Sequence, residues 1–396
     1  MISPSTKMPS IMPVYARSTF ALKRGDGVYL YDTDDNKYLD FAAGIAVSSF
    51  GHGHPHLIRA LWEQSKDLWH TSNMYRVPGA ERLANRLVAA TFAQTVFFTN
   101  SGAEAWECAF KVVRSFNHAS GRSARHRVIT CGSAFHGRTM AAIAATDQEK
   151  LRAGFLPLPD WFRVVPFNDL NSVENAIDAT VGGIMFETVQ GEGGVTPATP
   201  EFMRGVRDLC DRHDLLLVLD EIQCGIARTG RFLAHEHFGV EPDVVAIAKA
   251  IGAGFPLGAC IATERAAIGM TLGTHGSTTG GNPLAMAVGN AVLDIVLEPG
   301  FMERVTEQAA LLRRKLQYLV ETDAGQIFTK VRGLGLMLGL ECRVPSRQVV
   351  EIARSQRLLT AVAGQNVVRL LPPLIIEEEH MDEACEKLRQ TARILN

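Results

Sequence analysis

The 396-residue chain is 46% hydrophobic and 21% charged, with 35 glycines, which suits one large or two medium α/β domains with ample core. A formal net charge of -2 gives no electrostatic reason to expect nucleic acid or an anionic membrane as partner, and no stretch reaches the roughly 18 uninterrupted apolar residues of a membrane span. The seven cysteines form no C-x-x-C pair, as expected of reduced, mostly buried thiols in a cytoplasmic protein.

Residues 1–13, rich in Ser, Pro and Met, lack the apolar stretch of a signal peptide and read as a flexible arm. Residues 27–32 and 37–41 alternate in polarity around Asp34-Asp35-Asn36, which predicts a hairpin. His52, His54 and His56 alternate in a glycine-rich segment, but with no acid or thiol close by in sequence they do not suggest a metal site. Residues 57–68 read as a helix. Residues 95–100 form a short strand, and Ser101-Gly102-Ala103-Glu104 has the form of a capping box opening a helix. Apolar Ala105, Cys108, Ala109, Val112 and Phe116 give that helix one buried face. Strand, glycine and helix start is where free backbone N–H groups and the helix dipole can hold a phosphate, although most capping boxes bind nothing.

Another strand at 128–131 leads to Phe135 and Arg138, and a third at 183–187 ends in an acid before the glycine-rich Thr188–Gly194 loop. A helix at 201–213 precedes Leu215-Leu216-Leu217-Val218-Leu219, a run apolar on both faces and therefore a strand from the middle of a parallel sheet. Asp220 and Glu221 follow at its carboxyl end, where open α/β sheets place their ligands. Residues 243–248 form a second such run, with Lys249 at the exit. An acid and an amine delivered to one pocket can serve pyridoxal phosphate: the lysine forms a Schiff base and the aspartate pairs with the pyridine nitrogen. Burial and a neighbouring cation should then lower the lysine from its usual pKa of about 10.4. An ordinary salt bridge fits the same pair.

Taken alone, the glycine- and hydroxyl-rich residues 273–283 read as a linker. Long helices follow at 284–296 and 301–320, then a strand at 335–341 and a closing helix at 379–395.

Asp220-Glu221-Ile222-Gln223, Arg228-Thr229-Gly230-Arg231 and Ala248-Lys249-Ala250 with Gly252, Gly254 and Pro256 resemble the cofactor-lysine region of class III aminotransferases, in particular the acetylornithine branch. The resemblance covers nearly the whole chain. It implies a fold-type-I α/β architecture: a large domain with a mostly parallel seven-stranded sheet at residues 57–284, and a smaller α/β domain built from an N-terminal part, 1–56, and a C-terminal part, 285–396. It implies pyridoxal 5'-phosphate as cofactor and no metal. Ser101, Gly102 and Ala103 would grip the phosphate, Phe135 stack on the ring, Asp220 pair with its nitrogen and Gln223 reach its phenolic oxygen. Lys249 is then the catalytic lysine.

By the same resemblance Arg138 holds the donor's α-carboxylate, and Glu192 pairs with Arg369 to mask it until 2-oxoglutarate binds. Thr278 bonds the partner subunit's cofactor phosphate in a homodimer with shared sites, and Ser277 lies near substrate. Two positions depart from the family: Thr188 stands where proline is usual, and Thr279 where an aromatic is. The reaction implied is transfer of the δ-amino group of N2-acetyl-L-ornithine to 2-oxoglutarate, giving glutamate, in arginine biosynthesis. Rival substrates are succinylornithine, ornithine and N-succinyl-diaminopimelate. A non-catalytic pyridoxal-binding protein is the rival of another class.

Overall fold

Leu215–Leu219 is apolar on both sides because the strand it feeds is covered on both. In a computed structural model, which describes residues 10–396, Leu216–Asp220 is buried throughout. It lies in the middle of a seven-stranded sheet ordered Thr95–Thr99, Gly258–Ala262, Val244–Ile247, Leu216–Asp220, Val181–Glu187, Arg127–Cys131, Phe162–Val165. Gly258–Ala262 runs antiparallel to both neighbours, while the remaining pairs are parallel. Six carboxyl ends therefore open on one edge. The sheet is the mostly parallel one implied by the resemblance. The first nine residues of the expected arm lie outside the described residues.

Strand alternation divides the core. Leu216 and Val218 pack with Ala105, Ala109 and Val112 of the Gly102–Ala119 helix on one face. Leu217 and Leu219 pack with Phe202, Val206 and Leu209 of the Pro200–His213 helix on the other. Each such side chain contributes roughly 1.5–3 kcal/mol by leaving water, which is why the run tolerates no polar residue before Asp220.

The expected hairpin is present as Tyr29–Asp32 and Lys37–Asp40, but it belongs to a four-stranded sheet that also contains Leu22–Asp26 and Leu358–Leu359. A second four-stranded sheet, wholly antiparallel, joins Phe328–Leu334, Met337–Cys342, Val367–Leu370 and Ala361–Ala363. Between hairpin and cavity the chain makes a left-handed turn: Ala43, Gly44, Ile45 and Ala46 have φ of 45°, 62°, 62° and 62°. Left-handed backbone costs roughly 1–2 kcal/mol per non-glycine residue, and here it carries Val47 to the wall of the main cavity.

Among the elements not anticipated are the Pro78–Ala90 and Ser346–Ser355 helices and the Phe162–Val165 and Gly258–Ala262 strands. Gly258-Ala259-Cys260 has small side chains that carry little strand preference; its place between two long strands decides its conformation. No single helix among the described residues is long and apolar enough to cross a membrane.

Candidate active site

The carboxyl ends of the parallel strands surround a cavity of about 460 Å³. Asp220 and Lys249 leave adjacent parallel strands and line the same cavity. Asp220 is 3% exposed; its Oδ2 accepts from His136 Nδ1 at 2.7 Å and its Oδ1 from the Ile222 N–H at 3.0 Å. Glu221, one residue on, turns to the opposite face as strand alternation requires. There its carboxylate accepts from Thr188 Oγ1 and the Ala234 and His235 N–H groups, and burial raises its pKa. Thr188, at the position that departs from the family pattern, thus supplies a side-chain bond in place of a rigid ring.

Lys249 is half-buried and adopts φ of 48°, an uncommon conformation for a non-glycine residue and the kind of local strain found at functional sites. Burial, then the charge of Arg369, pulls its amine down to about 8; Glu192, Asp220 and Glu187 oppose this. The downward shift agrees with expectation, but the cation responsible is Arg369.

Ser101 caps the Gly102–Ala119 helix: its Oγ accepts from the Glu104 N–H at 3.3 Å, while Glu104 reaches back to the Asn100 N–H at 2.7 Å. Ser101, Gly102 and Ala103 all line the cavity at this helix start. A β-carbon on Gly102 would stand 2.8 Å from Ile222 Cγ2, so the bare backbone is needed there. Phe135 and the exposed Arg138 line the wall, with the guanidinium 5.6 Å from the ring centroid and no acidic partner among the described residues.

Glu192 and Arg369 do not line the cavity. Arg369, 1% exposed, lies behind Gln223, which does; Glu192 Oε1 is 2.6 Å from its guanidinium, and its Nη1 donates to Gln223 Oε1 at 3.0 Å. Arginine has only donors, so this bond leaves the NH2 end of Gln223 facing elsewhere in the cavity wall. The backbone around Glu192 is pinned. Its carbonyl accepts from the Gly364 N–H at 2.7 Å, and a β-carbon on Gly191 would come within 2.4 Å of Gln223 Oε1.

Ser277 and Thr278 do not line this cavity. Ser277 Oγ accepts from Asn100 Nδ2 and the Gly280 N–H, whereas Thr278 is exposed.

Two further residues belong to the wall. His136, buried and stacked on Trp106 with centroids 5.1 Å apart, is pulled down by burial but held above its ordinary pKa by Asp220. Glu187 is the other. The acid ending its strand was visible in the sequence; a histidine next to a candidate ring-stacking residue was the available hint for His136. His52 and His56, for their part, have carboxylate partners distant in sequence: Asp40 at 2.8 Å and Asp294 at 2.9 Å.

A family description, aminotransferase class-III, matches residues 11–392. The chain belongs to this family. Among relatives of the class-III aminotransferase, the acetylornithine aminotransferase of Mesorhizobium japonicum is 51% identical over 97% of this chain and 96% of its own. The solved structure of the ornithine aminotransferase from Toxoplasma gondii superposes with a TM-score of 0.93 at 29% identity, covering 98% of this chain and 93% of that one. The N-acetylornithine aminotransferase from Stenotrophomonas maltophilia gives a TM-score of 0.84 at 39% identity, covering 96% and 97%.

Class-III aminotransferases use pyridoxal phosphate, and this cavity fits it. The cavity supplies an amine with no hydrogen-bond partner among the described residues, a buried carboxylate, a flat aromatic wall and an uncluttered helix N-terminus.

Proposed function

We propose that this aminotransferase moves the δ-amino group of N2-acetyl-L-ornithine to 2-oxoglutarate in a ping-pong reaction of arginine biosynthesis. The observation that carries this reading is the Glu192–Arg369 pair, 2.6 Å apart behind the cavity-lining Gln223, together with Arg138 as a second guanidinium without an acidic partner among the described residues. Two carboxylate clamps, one of them masked, answer a chemical difficulty: one pocket must take a donor with a neutral tail and then a dicarboxylate acceptor.

In this reading Arg138 binds the donor's α-carboxylate with its planar fork, which leaves the remote amine at the cavity floor. Ser101, Gly102 and Ala103 hold the cofactor phosphate, Phe135 covers the ring, Gln223 meets the phenolic oxygen, and Asp220, oriented by His136 and the Ile222 N–H, faces the ring nitrogen. The bound cofactor supplies an electron sink for the carbon that loses its proton. Lys249 Nζ would take that proton from the donor's δ-carbon and give it up to the cofactor rather than back to the same carbon, a task suited to an amine drawn towards neutrality. Glu192 masks Arg369 while the donor is bound, then swings aside for the acceptor's α-carboxylate; its pinned backbone and partly exposed side chain suit a side-chain movement.

We read the assembly as a homodimer in which Thr278 and Ser277 complete the partner's site. Their position outside their own cavity supports this, as do the exposed Trp62, Trp69, Met74 and Tyr75, too many large apolar groups for a solvent face. The division at residues 57 and 284 into a large domain and a terminal small domain belongs to the same reading. So does a cytoplasmic location, where seven free, buried cysteines stay reduced.

Absorption spectroscopy tests the reaction. The loaded protein should be yellow, lose that band on addition of N2-acetyl-L-ornithine and recover it with 2-oxoglutarate. A band that persists with the acetylated donor but bleaches with ornithine or a succinylated analogue would reassign the substrate.

A further inference from the structure

Glu187 has no assigned task, yet its position is costly. The parallel register sets it directly opposite Asp220, and both carboxylates line the cavity. Like charges across neighbouring strands destabilise a sheet. Glu187 is 5% exposed and has no cationic partner in an ion pair among the described residues; the adjacent imidazole, His136, bonds to Asp220 instead. Burial, seconded by the charge of Asp220 and opposed by His136, pushes Glu187 up to about 7.

What Glu187 does have is two backbone donors from two different loops. Its Oε2 accepts from the Phe135 N–H at 3.1 Å and its Oε1 from the Gly191 N–H at 3.3 Å. One loop carries the ring-facing Phe135 and, three residues on, Arg138. The other carries Glu192 immediately after Gly191. A carboxylate has acceptor capacity on both oxygens, so it can satisfy both amides at once, and no other side chain of this size does so.

We propose that Glu187 is a positioning residue that ties the donor-binding loop at Phe135 to the pivot of the Glu192 gate, and thereby sets discrimination between the acetylated donor and glutamate. The inference rests on the transaminase reading and deepens it. Gly191 cannot drift while its N–H is held, so Glu192 swings by side-chain rotation alone and returns to Arg369 in register.

The test is Glu187→Gln in the full-length, cofactor-loaded protein. The amide keeps the size but has one acceptor oxygen; its NH2 must face one of the two N–H groups, and that loop is released. Hydrogen exchange should accelerate in the peptide containing Phe135 or the one containing Gly191. In single-turnover half-reactions, the preference for N2-acetyl-L-ornithine over glutamate should fall roughly tenfold or more, the worth of one hydrogen bond to a charged acceptor. Where exchange shows the Gly191 loop to be the one released, combination with Glu192→Ala should add nothing further, because there is no gate left to misplace.

Unchanged preference, equal loss for both substrates, or full additivity with Glu192→Ala when the Gly191 loop is the one released would overturn the proposal. If Glu187→Gln does not load cofactor, Glu187→Asp, whose shorter arm reaches only one loop, should show the same skew. Wild-type exchange decides independently, since the Phe135 and Gly191 amides should be protected together and unrelated opening would refute the tie. Failure of the acetylated donor to bleach the wild-type band would instead sink the transaminase reading itself.

Discussion

Replacing Glu192 with alanine should unmask Arg369 without emptying the site. Arg369 is 1% exposed, while the Glu192 side chain, 2.6 Å away, is 31% exposed. Truncating one partner of a fully buried pair costs roughly 3–5 kcal/mol, and an exposed pair is worth under about 1 kcal/mol. With one partner in each regime, and Gln223 Oε1 and the Val362 carbonyl still on the guanidinium, the masking interaction is worth roughly 1–2 kcal/mol. That converts to about 5- to 30-fold in an equilibrium constant. Under the proposed gate an incoming acceptor carboxylate displaces Glu192, so in the variant the KM for 2-oxoglutarate and the Kd for glutarate should fall by this factor. The donor half-reaction with N2-acetyl-L-ornithine makes no use of a free Arg369 and should change by less than about twofold. Stopped-flow absorption of the loaded protein, one substrate at a time, reads both. Unchanged acceptor affinity in a variant that keeps its yellow band would refute the gate.

Lys249→Ala should abolish turnover and leave any retained cofactor removable by gel filtration; cofactor that survives denaturation on the protein would place the attachment elsewhere. In the cofactor-free protein Lys249 sits at about 8, lowered by burial and then by Arg369, and only the neutral amine attacks. The rate of cofactor loading should therefore rise with pH towards about 8 and level off above it, where the proton is already lost. A pH-independent rate from 6 to 10, or a fall across that range, would contradict this. Arg228 is fully buried without a carboxylate, and burial lowers it to about 9. It donates to the Leu336 and Pro372 carbonyls and to Ser49 Oγ, so Arg228→Met orphans three acceptors and should cost at least about 3 kcal/mol in urea unfolding. A loss below about 1 kcal/mol would mean that water replaces it.

Where the local pattern and the tertiary environment agree, the sequence was legible. Leu215–Leu219 had to be central because nothing but two covering layers makes such a run favourable, and Asp220 at its end had to meet the ligand edge. Ser101 and Glu104 announced a helix start through bonds that close within four residues. Contacts between distant segments were not readable. Nothing near His52 or His56 foretells Asp40 and Asp294, and the pairing of Glu192 with Arg369 was reachable only through family resemblance. The left-handed turn at Ala43–Ala46 offers only Gly44 as a signal, because three of its four residues are held there against their own preference. Glu187 and His136 were visible as residue types; their bonds to Gly191, Phe135 and Asp220 depend on loops whose paths no periodicity encodes.

The parallel pairing of Leu358–Leu359 with Lys37–Asp40 has a consequence for biosynthesis. Both ends of the polypeptide meet at the cavity, since Val47 forms part of its wall and Arg369 stands behind it. At elongation rates of roughly 5–20 residues per second, the emerging hairpin waits tens of seconds on the ribosome for its fourth strand. A nascent chain released early would lack both that strand and Arg369 behind the cavity, so premature termination yields no half-working transferase that could squander amino groups.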